Sequence, residues 1–148
     1  MDALNIHGRT KDLTVVGLGA SDLDDYALEA AAEQGRALKG DPKPENGGYF
    51  RSDHFPFAKQ GVPAINAGGG DDYIGRPAGW GEQVAAEYTA KHYHKPSDEI
   101  RPDWDLSGAI QDLRIYYAIA DRAASAEHWP SWKPGSEFKA RRDAMSRK

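Results

Sequence analysis

Three short stretches carry residue types able to do chemistry. "HYHKPSDE" at 92–99 sets Tyr93 and His94 side by side before Pro96, with Asp98 and Glu99 after it. An imidazole can give one ring nitrogen to a metal ion and the other to a carboxylate, so these are the parts of a metal ligand with a supporting acid. They also make a surface turn in which Ser97 and Asp98 cap the next segment of chain, and spacing alone favours the turn. In "RSDHFPF", Asp53 and His54 come after a glycine-rich loop at a predicted helix start, where free backbone N–H groups suit a polar ligand. Capping by Ser52 or Asp53, with Phe55 and Phe57 packed inward, is the commoner use of such a stretch. In "MDALNIHGRT", Asp2 adjoins a strand start, a place where carboxylates often face a site cleft. As a second residue it is instead expected to be frayed and inert, and alone it carries no site.

Composition removes several alternatives. The chain has 148 residues, a net charge of −4 and no cysteine, so disulfides, thiolate catalysis and sulfur-ligated zinc are excluded. Metal chemistry must use His, Asp and Glu, and none of the five histidines forms an H-E-x-x-H helix motif. His92 and His94 form an H-x-H pair, a weak signal for a divalent ion. No G-x-S-x-G supports a serine nucleophile, and Gly68 to Gly70 open no helix in the way a phosphate-binding loop does. The acidic balance argues against nucleic acid as a partner, and no apolar run approaches a membrane span. No basic region leading into an apolar signal core stands at the N-terminus. Trp104, Trp129 and Trp132 read as packing anchors.

The elements that must position these residues show an α/β rhythm within one domain over 1–148. Leu13, Val15 and Val16 predict a buried strand ending in a glycine turn. Ser21 is the expected cap of a helix over "DLDDYALEAAAEQG", with Gly35 just past its end. A long loop, "KGDPKPENGGYFRSDH", leads to a short helix over "HFPFAKQ" that Gly61 ends, and "VPAINAGGG" predicts a second short strand. The stretch from Asp71 to Ile100 lacks a clear period and reads as a surface loop with at most short helical pieces. From Asp105, the residues Leu106, Ala109, Ile110, Leu113, Tyr116, Tyr117 and Ala120 recur at helical spacing and predict one buried face. A short surface helix is expected in the basic C-terminal tail.

Taken in order, "LNIHGRTKD", "YFRSDHFPFAKQGVPA", "PAGWG", "EYTAKHYHKPSDE" and "WDLSGAIQDLR" closely resemble the C-terminal half of the co-catalytic zinc aminopeptidase family. That group's relatives include bacterial leucyl aminopeptidases, glutamate carboxypeptidase and glutaminyl cyclase. The resemblance implies part of a three-layer α/β fold, with a mixed central sheet flanked by helices and the N-terminal strands absent. It implies hydrolysis of N-terminal peptide bonds by two zinc ions held by His, Asp and Glu, with a further Glu as general base. His94 matches the last zinc-ligand His, and Tyr93 the tyrosine that hydrogen-bonds the tetrahedral intermediate. Asp2 matches the strand-end Asp that binds the other zinc, and Asp53 and His54 match a segment lining the substrate pocket. Two zinc ions polarise a scissile carbonyl and generate hydroxide near neutral pH, while a phenol donates to the developing oxyanion.

In the family, the first His, the bridging Asp and the Glu-Glu pair precede the residue matched by Asp2. The expectation is therefore a catalytic-domain fragment with partial or no zinc occupancy and little activity alone. Two other classes fit the same residues: a peptide-binding module without turnover, and a half-enzyme completed by a separate N-terminal chain, with self-association or pairing as its mark. Family relatives are often exported, so a secreted or periplasmic parent is a further expectation.

Overall fold

The computed structural model describes residues 4–145. Among them the elements run β1 (Asp12–Val16), α1 (Leu23–Glu33), β2 (Ala37–Gly40), α2 (Phe55–Lys59), β3 (Asn66–Gly69), α3 (Trp80–Lys91), α4 (Ser107–Ser125) and α5 (Lys139–Met145). Two 3-10 turns, Pro44–Asn46 and Gly48–Arg51, occupy the loop before α2. The sheet order is β2-β1-β3, with β1 parallel to β2 and antiparallel to β3. This is the mixed sheet flanked by helices that an α/β reading implies.

Leu13 and Val15 share one face of β1 and are each 1% exposed. They meet Leu23, Ala27, Ala30 and Ala31 of α1, Ala67 of β3, and Ile115 and Ile119 of α4. Alanines on the inner side of α1 let the helix axis lie close to the sheet, and each large side chain fully buried there contributes about 1.5–3 kcal/mol. Ser21 is not the cap of α1. Asp22 is the N-cap, but its carboxylate accepts the Ser131 amide at 2.9 Å rather than an amide of the helix, and the buried Asp24 carboxylate accepts the amides of Gly19 and Ser21 at 3.0 Å each. Gly35 ends the helix at φ 68, a left-handed conformation that lets the amides of Gly35 and Arg36 reach the carbonyls of Ala32 and Ala31.

A buried arginine ties this core together. Arg36 lies between α1 and β2, and its guanidinium donates to the Asp12 carbonyl through Nε (3.1 Å) and Nη2 (2.7 Å) and to Thr10 Oγ1 at 2.8 Å. Its Nη1 pairs with Asp112 Oδ1 of α4 at 2.7 Å, with both side chains nearly inaccessible. On the same strand, the Asp12 carboxylate accepts Lys39 Nζ at 2.7 Å and the amides of Asp72 and Asp71.

Besides the cap of α1, the structure corrects four expectations. The 71–100 stretch is not simply loop, because α3 takes up twelve residues of it. It buries only Gly81, so it has no apolar face for periodicity to reveal. The buried face of α4 is Gly108, Ala109, Asp112, Ile115 and Ile119, while Ile110, Leu113 and Tyr117 are exposed. Two apolar stripes share this helix, and the one that packs was disguised by the Asp112 carboxylate that Arg36 neutralises. Trp132 is a packing anchor, its Nε1 donating to the Gly61 carbonyl at 3.1 Å, but Trp129 is 84% exposed. Phe55 packs among aromatic rings, whereas Phe57 faces solvent.

Candidate functional site

The C-terminal end of α3 carries Tyr93 and His94. The helix is fixed at its start by Trp80, whose ring meets Tyr73 (centroids 5.0 Å apart) and His7 (6.0 Å), with the Arg76 guanidinium 4.5 Å over it. After Lys91 the chain leaves the helix through His92, and His94 adopts φ 56, the one left-handed residue other than glycine among the described residues. Its ring stacks on that of Tyr93 with centroids 3.9 Å apart, and both side chains are exposed. Among the described residues, no hydrogen bond occupies either ring nitrogen of His94.

The loop after this pair is tied back to the helix. Ser97 Oγ donates to the Lys91 carbonyl at 2.8 Å, Lys95 Nζ to the Ala90 carbonyl, and the Lys95 amide to the His92 carbonyl at 2.9 Å. These bonds satisfy carbonyls that a helix end leaves without partners. Asp98, expected as an acid behind a histidine, accepts the Tyr88 hydroxyl at 2.8 Å instead. His92 lies 3.0 Å from the Ser97 carbonyl through Nδ1 and 3.3 Å from Arg101 Nη1 through Nε2.

Asp53 and His54 stand elsewhere, on the turn that enters α2. Asp53 is exposed and neither it nor Ser52 caps the helix through its side chain; His54 occupies the N-cap position. The His54 ring sits 4.5 Å from Tyr49, edge to face, and neither its two nitrogens nor the Tyr49 hydroxyl has a partner among the described residues. Burial lowers the His54 pKa. Burial, with the charges of Glu137 and Asp24 adding to it, pushes the Tyr49 phenol up to about 12. Tyr49 lies against Gly17 at the end of β1, where an added Cβ would come within 2.5 Å of the ring. The same ring forms part of the wall of a cavity of about 580 Å³, shared with Val16, Leu18, Phe50 and Phe138. Tyr49 is not singled out by the sequence, although its place three residues before Ser52-Asp53-His54 is a signal that could have found it.

No ring contact or hydrogen bond joins the Tyr93-His94 pair to the Asp53-His54 turn among the described residues. Asp2 lies outside them. No group of three or more His, Cys, Asp or Glu side chains among the described residues is placed to hold a metal ion. His94 offers one imidazole without companion donors, so these residues do not by themselves fit a zinc site.

Fold and residues together define an α/β chain with a mixed sheet and a histidine-bearing loop beyond it. The sequence model of peptidase family M28, the family of co-catalytic zinc aminopeptidases and related enzymes, matches residues 1–118, and the chain belongs to that family. Its function is accordingly peptidase-related, within a family that is typically zinc-dependent. No curated protein and no solved structure matches the chain.

Proposed function

We propose that this chain is the C-terminal portion of a zinc-dependent aminopeptidase catalytic domain, acting on the N-terminal peptide bond of peptide substrates. The observation that carries the reading is His94: within a chain of this family, its imidazole is exposed, without a hydrogen bond among the described residues, and held on a left-handed residue at a helix end. Backbone strain of this kind persists where the surroundings hold it, and it gathers at functional positions. In this reading His94 ligates one zinc and Asp2 the other, with the remaining ligands and the general base supplied from outside the described residues. Tyr93 donates its hydroxyl to the oxyanion of the tetrahedral intermediate, a role suited to an exposed phenol beside the ligand. Asp53 and His54 line the substrate pocket, with Tyr49 behind them. The parent carries two zinc ions, and this chain alone holds them in part or not at all.

One observation also favours completion by a separate N-terminal half. Ile110, Leu113 and Tyr117 make an exposed apolar stripe along α4, the kind of surface that association covers. The test is hydrolysis of an aminoacyl-nitroanilide with and without zinc. The chain alone is expected to give little turnover, and addition of a family N-terminal half is expected to bring chelator-sensitive activity that His94→Ala abolishes. Zinc-dependent turnover by the chain alone would refute the fragment reading, and full activity of His94→Ala in the completed enzyme would refute the ligand assignment.

A further inference from the structure

We propose that His92 is the positioning residue of the Tyr93-His94 loop, acting as a strut with its single proton on Nδ1: it donates to the Ser97 carbonyl and accepts from Arg101 at Nε2. The proposal rests on the proposed roles of Tyr93 and His94 and concerns how they are held, not what they contact.

The proton assignment comes from chemistry. A guanidinium has five N–H donors and no acceptor, so the ring nitrogen 3.3 Å from Arg101 Nη1 must be bare. A carbonyl only accepts, so the nitrogen 3.0 Å from the Ser97 oxygen must carry the proton. One tautomer satisfies both contacts, and the other would set two donors face to face at Arg101. Both ring nitrogens are thereby occupied, so the H-x-H pair offers a metal one histidine, His94.

The connectivity explains why a strut is needed there. Helix α3 buries only Gly81, against the Asp71 backbone, and its ring contacts to the N-terminal segment and Tyr73 lie at its first residue, Trp80. The bonds of Ser97, Lys95 and Asp98 all run back to α3 itself, so they fold the loop without fixing it to the body of the protein. Apart from the helix's own ladder, the Arg101 to His92 contact is the one hydrogen bond among the described residues that joins residues 84–99 to anything beyond them. Arg101 belongs to a segment that is anchored: the Asp105 amide donates to the Ile6 carbonyl at 2.9 Å, and the Gly8 amide to the Asp105 carbonyl at 3.0 Å. Burial lowers the pKa of His7, in that same N-terminal segment, and the Arg101 charge adds to the lowering. A left-handed His94 also needs such a tie, because its backbone conformation is sparsely populated without one.

The experiment uses the full 148-residue chain, isotopically labelled, at a pH above the ordinary imidazole range. Ring nitrogen spectra of the native chain are expected to place the His92 proton on Nδ1. Hydrogen exchange at the Tyr93 and Lys95 amides, both hydrogen-bonded in the native loop, is expected to quicken roughly five- to tenfold in His92→Leu, the loss of about one net hydrogen bond. His92→Gln, whose carbonyl takes the place of Nε2, and His92→Asn, whose amide takes the place of Nδ1, should each recover part of the protection. Arg101→Leu should reproduce His92→Leu. A proton found on Nε2, or exchange in both leucine variants within about twofold of native, overturns the proposal. Zinc titration followed at the His94 ring separates the two claims: if His94 takes no metal in the completed enzyme the aminopeptidase reading fails, while the His92 measurements stand or fall independently.

Discussion

Replacing Arg36 with methionine is the sharpest test of how this fold is held together. The guanidinium makes three bonds to the Asp12 carbonyl and Thr10 Oγ1 and an ion pair to Asp112, with exposures of 1% and 6% for the two charged side chains. Methionine fills much of the volume and supplies no donor, so the Asp112 carboxylate is left buried without its cation. Removing one partner of such a pair costs about 3–5 kcal/mol, a large share of the roughly 5–15 kcal/mol that stabilises a domain. With a urea slope of about 2 kcal/mol/M, the unfolding midpoint should fall by roughly 1.5–2.5 M. Removing both charges in Arg36→Met with Asp112→Leu should recover most of the loss, because an apolar pair replaces a buried ion pair at little net cost. The loss should also depend on pH. Burial raises the Asp112 pKa and the Arg36 hydrogen bond and charge offset that rise, so the variant's carboxyl titrates higher still. A folded-state pKa above the unfolded one means the folded protein holds the proton longer. The penalty is therefore small below the ordinary carboxylate range and grows as pH rises through the folded value. A cost under about 1 kcal/mol at neutral pH, or a double variant no better than the single, would refute the argument.

Two further outcomes test the packing. Ile115→Ala should cost about 2–5 kcal/mol in chemical denaturation, whereas Tyr117→Ser, only two residues on but outward-facing, should change stability by less than about 0.5 kcal/mol; the reverse order would restore the other apolar stripe as the buried face. Gly70→Ala would place a Cβ 2.0 Å from Asp12 Oδ1 and 2.7 Å from its carbonyl oxygen, so about 1–3 kcal/mol of overpacking is expected. Burial works to raise the Asp12 pKa, but bonds from Lys39, Asp72 and Asp71 outweigh it and hold the group below its ordinary value. The stability Asp12 contributes is present above the unfolded carboxylate pKa and lost as pH falls through the lower folded one, and a native-like acid limb in Gly70→Ala would show that this cradle had survived.

Much of the fold was legible because local signals agreed. β1 announced itself by Leu13, Val15 and Val16, α1 by alanines ending at Gly35, and α2 by its start after Asp53 and its stop at Gly61. β2 was not legible, since "ALKG" is short and mostly exposed and becomes a strand only through its register with Asp12 to Val15. α3 escaped because a helix held by one tryptophan and one buried glycine needs no apolar stripe. The Tyr93-His94 pair could be picked out by type, but its left-handed backbone and its tether to Arg101 depend on residues that periodicity does not connect. Arg36 and Asp112 were invisible as a pair, being seventy-six positions apart in the chain and joined only when α1 and α4 pack.

The same geometry separates what folds the chain from what the proposed chemistry uses. Leu13, Val15, Ile115 and the Arg36 pair lie between the sheet and two helices, whereas Tyr93, His94 and Asp53 are exposed and touch none of that core. Surface groups of that kind contribute little to global stability, within about 0.5 kcal/mol each. Their conformations must therefore be maintained by local devices: capped carbonyls at the end of α3, a histidine strut, and a phenol resting on Gly17. Regions tied by few buried contacts open at lower free energy than the core they stand on. A loop so held keeps His94 and Tyr93 presented to solvent, and damage to the proposed strut is expected to disorder the loop without unfolding the domain beneath it.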